Sequence, residues 1–267
     1  MTQYEIIDSH CHIFPDKIAL RASQATGDFY NIPMSYDGTV RSLIKSGNRI
    51  GVSKYVVHST ATKKEQVSSI NNFIFETISA YDCFIGFGTL SKDMDKAGIR
   101  SEVEKIISRG LKGIKLHPDF QDFNIDDEKV FAIYETCEGR LPILFHVGDE
   151  RYDRSSPARL AKTLKRFPGL TAIAAHLGGY QRWDEALETI IGNKNVYIDT
   201  CSSLPIISKE KAVDIIRKHG YERVMFGTDY PMWDHKEEKE RFDSLELTEI
   251  EREAIFSKNA KRLLKIT

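Results

Sequence analysis

The chain has 267 residues, 41% of them hydrophobic and 29% charged, with 38 Lys and Arg against 39 Asp and Glu for a net charge of −1. That balance gives no pull toward nucleic acid or an anionic membrane, and no apolar run nears the roughly 18 residues that suggest a membrane span. Four cysteines, Cys11, Cys83, Cys137 and Cys201, fall without a C-x-x-C pair; neither a zinc ribbon nor a redox motif is indicated, and a reduced, cytoplasmic setting is expected.

The N-terminal residues lack the basic start and apolar core of a leader. The first apolar run covers residues 4–7 and leads into Asp8-Ser9-His10-Cys11-His12. Residues 13–38 then carry Pro15, Gly27, Pro33 and Gly38 with little periodicity, and read as a long loop with room for a short helix. Further runs at 54–57, 84–87, 113–116, 143–147, 170–174, 196–198 and 224–226 complete eight candidate strands. Between them, residues 64–80 place Val67, Ile70, Ile74 and Ile78 on one stripe at helical spacing. Helices are expected likewise over 101–109, 126–137, 156–167, 183–191 and 209–219. A last one covers 247–264, with Thr248 as N-cap and Glu251 closing a capping box. Strand followed by helix, repeated eight times at this length, predicts a single domain over residues 1–267: an α/β fold of the (β/α)8 TIM-barrel class.

Polar residues collect at the ends of the candidate strands. His10 and His12, two apart on a strand, would face one side, close enough to share a metal ion. His146, His176 and Asp229 each follow another strand. In a barrel all C-terminal strand ends meet at one face, so residues distant in sequence would surround one ion. Any one of these histidines is more simply read as a hydrogen-bonded structural residue; their joint occurrence at matching strand ends is what core packing does not produce. Lys115 and His117 end the fourth strand and are candidates for metal or substrate contact. His58, Arg151, Arg154 and Trp233 are candidates for the substrate pocket, the arginines as forks for a carboxylate. Solvated arginine is the plainer reading of both. Asp199, Cys201 and Tyr230 could also line the pocket.

The pieces IDSHCHIF, GIKLHP, PILFHVG, AAHLGG, VYIDTCS, MFGTDYP and KNAKRLL resemble, in order and over nearly the entire chain, the amidohydrolase superfamily, and within it the amidohydrolase-related branch. The resemblance implies a divalent metal, most often zinc, with manganese as the other candidate. It implies His10, His12, His146 and Asp229 as ligands, Asp229 also as proton acceptor, and His176 as a catalytic residue or a further ligand. In two-metal relatives a carbamylated lysine bridges the ions, and Lys115 matches that position loosely; a single ion is expected here, with a second ion as the alternative.

Two reactions suit such a centre. One is hydrolysis of a small amide, lactone or ester by metal-activated water; the other is non-oxidative decarboxylation of an aromatic or unsaturated acid. The same ligand set serves both, so the motifs do not choose. A catalytically silent metal-binding barrel is the third reading, disfavoured because none of the five residues is missing. The expected partner is a small molecule, a carboxylate-bearing one being one option, with neither nucleic acid nor membrane involved, and a homodimer is a compatible assembly.

Overall fold

The computed structural model describes residues 4–267. The first three residues, part of the stretch read for a leader, lie outside the described residues. Eight strands appear among the described residues: β1 (Ile6–His12), β2 (Val52–His58), β3 (Phe84–Thr89), β4 (Gly113–Leu116), β5 (Ile143–Phe145), β6 (Ala172–Ala174), β7 (Val196–Asp199) and β8 (Val224–Met225). The helices are α1 (Asp16–Tyr30), α2 (Val40–Asn48), α3 (Val67–Ala80), α4 (Lys96–Ser108), α5 (Pro118–Gln121) and α6 (Phe131–Cys137). They continue with α7 (Pro157–Arg166), α8 (Trp183–Thr189), α9 (Lys209–His219), α10 (His235–Asp243), α11 (Glu249–Glu253) and α12 (Asn259–Leu264). The strand order runs from β1 to β8, the order of a (β/α)8 barrel. No helix among the described residues is long and apolar enough to cross a membrane.

Contacts gather the chain into two compact units. One takes in the chain up to Val57 together with Asp199–Thr267, and the other is His58–Ile198.

In the first unit, β1 extends beyond the apolar run at 4–7. Ser9 N and His12 N donate to the carbonyls of Phe226 and Tyr230 at 2.9 and 2.7 Å. His10 and His12 therefore lie inside the strand and inherit its alternation. The long connection from β1 to β2 is present, but more of it is helical than expected. α1 runs for 15 residues, and its buried face is Ala19, Ser23 and Gly27. Small residues four apart bury backbone rather than large side chains, so they leave no apolar stripe to read. A Cβ on Gly27 would lie 2.8 Å from the Ile32 carbonyl and 2.9 Å from Met34 Cγ. The chain after α1 then clasps the segment that follows β8. Ser35 donates to Met232 O through both N and Oγ at 3.2 and 2.9 Å, and Tyr36 N donates to Pro231 O at 3.1 Å. At the far end, Thr248 and Glu251 form the expected capping box. The single helix expected over 247–264 is broken by a π-type turn, Ala254–Lys258. Within it the Ile255 carbonyl accepts Phe226 N–H at 2.9 Å, a bond that a regular α-helix would keep for itself. The rings of Phe226, Phe242 and Phe256, 4.6 to 5.6 Å apart, fill the core beneath.

In the second unit, β3 to β6 pair in parallel, with Phe87 opposite Gly113, Ile114 opposite Ile143 and Ile143 opposite Ala172. Every residue of β4, β5 and β6 is buried, as expected of parallel strands covered on both faces. Two helices start where a side chain satisfies their first amides. Asp95 caps α4, which places its start five residues before the expected 101, and Ser156 caps α7 with Pro157 in the first turn.

Candidate metal centre

Strand alternation puts His10 and His12 on one face of β1, with ring centroids 5.3 Å apart. Asp229 follows β8 with φ at 57°. That left-handed conformation costs a non-glycine residue energy and tends to gather at functional sites. It brings Asp229 Oδ1 to 3.4 Å from His10 Nε2 and 3.3 Å from His12 Nε2. Both distances exceed the roughly 2.9 Å of a good N–H···O bond. They match the edge, about 3.3–3.4 Å, of a tetrahedron whose corners lie about 2.0–2.1 Å from one ion. Each imidazole nitrogen thus stands one such edge from the carboxylate oxygen, a spacing compatible with a shared divalent cation.

Asp199 lies behind His10. Its Oδ2 is 2.8 Å from His10 Nδ1. A carboxylate accepts, so Nδ1 carries the ring proton and Nε2 presents its lone pair toward Asp229. Cys201 joins the pair, with Sγ 2.9 Å from Asp199 Oδ1 and 3.2 Å from His10 Nδ1. The two residues singled out at the end of the seventh strand thus act on His10. Cys11, between the two histidines, points to the other face. Burial, reinforced by Asp8, pushes its thiol well above the usual range, so it stays protonated.

Several residues that sequence reasoning passed over hold this geometry. Asp8 Oδ1 accepts the amides of His10 and Thr228 at 3.1 and 3.0 Å. Asp8 Oδ2 accepts the Thr228 hydroxyl at 2.5 Å and lies 3.0 Å from His235 Nε2. One carboxylate thereby ties β1 to the residue preceding Asp229. Its place two residues before His10 on a strand was the available signal. Ser202 donates to Asp229 Oδ2 at 2.6 Å and accepts from Trp233 Nε1 at 2.9 Å; its place at the end of the VYIDTCS piece was the available signal.

The second unit holds the other three histidines of the motif pieces, His117, His146 and His176. His146 Nε2 lies 2.7 Å from the Gly148 carbonyl, and His146 Nδ1 lies 2.9 Å from His176 Nε2. A carbonyl only accepts, so His146 carries its proton on Nε2 and turns the Nδ1 lone pair toward His176. His176, like Asp229, is left-handed, with φ at 63°, and its carbonyl accepts the Trp183 indole N–H at 3.0 Å. His117 serves the local structure, because its Nδ1 accepts Phe120 N–H at the start of α5. Its ring stacks between Phe120 and His146, with centroids 3.7 and 4.1 Å away. Asp119 Oδ2 lies 3.7 Å from His146 Nε2 and accepts the Ser155 hydroxyl at 2.6 Å. Burial pushes the Asp119 carboxyl above its usual range.

Lys115 is buried in β4 opposite Leu144, and His58 is buried at the end of β2. Arg151 is engaged by its near neighbour Asp149, through Nε and Nη2 at 2.9 and 2.7 Å. Arg154 Nη2 meets Asp122 at 2.7 Å. Both forks already grip a carboxylate of the protein itself. Trp233 is half-buried and bonded to Ser202.

A family model described as amidohydrolase matches residues 7–266. Among curated proteins none matches the chain. Solved structures share its fold. An uncharacterised TIM-barrel protein from Bordetella bronchiseptica superposes with a TM-score of 0.79 at 19% identity, over 98% of each chain. A dihydroxybenzoic acid decarboxylase from Polaromonas sp., solved with bound manganese, gives 0.77 at 16% identity over 98% of this chain and 97% of that one. A protein assigned as a 2-pyrone-4,6-dicarboxylic acid hydrolase from Pseudomonas putida gives 0.67 at 17% identity, over 99% and 98% of the two chains.

Proposed function

The chain belongs to the amidohydrolase family, and from that premise we propose that it is a metal-dependent hydrolase of a small amide, lactone or ester. The observation that carries this reading is the approach of His10 Nε2 and His12 Nε2 to Asp229 Oδ1 at 3.4 and 3.3 Å. In it, His10, His12 and Asp229 hold one divalent ion; His146, expected as a further ligand, has its ring nitrogens engaged by Gly148 and His176 and would have to release one of them first. Zinc suits the spacing around Asp229 Oδ1; manganese, present in the Polaromonas enzyme, is the second candidate.

A divalent ion bound there would lower the pKa of its water toward about 7 and polarise a carbonyl. The protein supplies the rest. Asp229 takes the proton of the attacking water and returns it to the leaving group. Asp199 keeps His10 in the tautomer that leaves Nε2 free of a proton. His176 orients and polarises the substrate carbonyl. Lys115 and His117 are kept as further candidates for substrate contact, and Arg151 and Arg154 would have to release Asp149 and Asp122 before binding a substrate carboxylate.

A second reading is loss of carbon dioxide from an aromatic or unsaturated acid, favoured by the several decarboxylases among the structural neighbours. There Asp229 or His176 would deliver a proton to the carbon that loses the carboxylate. Metal-loaded protein assayed against lactones, amides and esters, and in parallel against aromatic and unsaturated acids, separates the two. Ring opening or ester cleavage without carbon dioxide release supports hydrolysis; carbon dioxide release supports the second reading. Turnover of neither set would leave a metal-binding protein without catalysis.

A further inference from the structure

Ser202, like Asp229, takes a left-handed conformation, with φ at 51°. It places its hydroxyl between two fixed partners, Asp229 Oδ2 at 2.6 Å and Trp233 Nε1 at 2.9 Å. An indole N–H only donates, so the Ser202 oxygen must accept it. The serine has a single proton left to give. Met232 Sδ, at 3.6 Å, is the weak alternative acceptor; Asp229 Oδ2 is the strong one. The direction of the chain is therefore set: Trp233 to Ser202 to Asp229. Its far end is held as well. The Arg241 guanidinium lies over the indole ring at 5.6 Å, and Glu238 Oε1 binds Arg241 Nη1 at 2.5 Å.

We propose that Ser202 and Trp233 are positioning residues for the ion, a role that rests on the metal reading above. They hold Asp229 Oδ2 and thereby present Oδ1 to the two imidazoles. A carboxylate without this restraint rotates about its last torsion, which is broad and roughly two-fold. It would then exchange its oxygens or tilt toward one imidazole, and the three donor atoms would no longer share a centre. The hydrogen bond also draws charge from Oδ2, which makes the two oxygens chemically distinct. Loss of such an outer partner typically costs about 10–100-fold in metal affinity.

The test is a double-mutant cycle read by metal binding rather than by turnover. Metal-stripped wild type, Ser202→Ala, Trp233→Phe and the double variant are titrated with zinc, and again with manganese. Thermal unfolding of each stripped protein reports the fold separately. Ser202→Ala is expected to weaken binding about 10–100-fold. Trp233→Phe removes only the indole N–H from the relay and is expected to weaken binding less. Phenylalanine at 233 should add nothing once Ser202 is alanine, because the relay is already cut. Unchanged affinity in Ser202→Ala, or losses that simply add in the double variant, would overturn the relay while leaving the metal centre standing. Wild type that binds neither ion would overturn the metal reading itself, and the relay with it. If Ser202→Ala fails to fold, Trp233→Phe carries the test alone: unchanged affinity there overturns the relay.

Discussion

Asp199 Oδ2 lies 2.8 Å from His10 Nδ1, and neither side chain is exposed. This pairing decides which nitrogen of His10 can bind an ion. Asp199→Asn keeps the size and an acceptor but removes the charge that raises the basicity of the ring. We expect about 10–100-fold weaker divalent-metal binding, measured by titration of metal-stripped protein. Unchanged affinity would mean that Asp199 serves packing alone.

Asp229→Asn separates two roles of one residue. The amide keeps an oxygen near the imidazoles but cannot take a proton. Much of the metal should remain, by elemental analysis, while turnover falls by about 10²–10⁴-fold. Full activity would remove the assigned proton acceptor.

Asp234 governs stability in acid. Its Oδ1 caps α10 at Lys236 N and Glu237 N, while its Oδ2 binds Arg49 Nη1 at 2.5 Å and accepts the Tyr36 hydroxyl. Burial pushes this carboxyl up, but the bonds from Tyr36, the helix amide and Arg49 outweigh it, and the pKa falls below the usual range. A depressed folded value gives stability that is present above the unfolded value, about 3.9, and is lost as the pH falls through the folded one. Asp234→Asn keeps the cap, since asparagine caps as well as aspartate. It should be less stable than wild type by about 0.2–1 kcal/mol at pH 7, because Arg49 is exposed and solvent screens the pair. That gap should close as the pH drops below about 4. A gap independent of pH, in unfolding curves taken across this range, would contradict the ionic origin.

Gly27→Ala tests the small-residue face of α1. Alanine favours a helix by about 1 kcal/mol over glycine. Here the new methyl would press on the Ile32 carbonyl at 2.8 Å and on Met34, and overpacking of this kind costs about 1–3 kcal/mol. A lower urea midpoint is expected; a higher one would show that the 31–34 segment yields freely.

Local patterns were legible where one physical signal dominated. β4 over 113–116 and α9 over 209–219 appear at the expected bounds, because an apolar run, a Ser208 cap and a terminal Gly220 mark them. α1 was not legible, since Ala19, Ser23 and Gly27 bury backbone instead of bulk. The π-type turn at Ala254–Lys258 answers to a donor on Phe226, nearly thirty residues earlier, which no local window contains. In the site, a spacing of two was enough to pair His10 with His12. The partners that make His10 and Asp229 useful stood beyond reach. Asp199 is 189 residues from His10, and Ser202 is 27 residues from Asp229. Arg151 was ambiguous for the opposite reason: Asp149, two positions away, competes with any ligand for its fork.

The central claim is that the three atoms His10 Nε2, His12 Nε2 and Asp229 Oδ1 share one cation. Crystals loaded with zinc or manganese and measured at the absorption edge of that metal test it most directly. A single anomalous peak about 2.0–2.2 Å from all three atoms is the expected result. Loaded crystals whose peaks lie elsewhere, with these three side chains left in contact only with one another or with water, would contradict it.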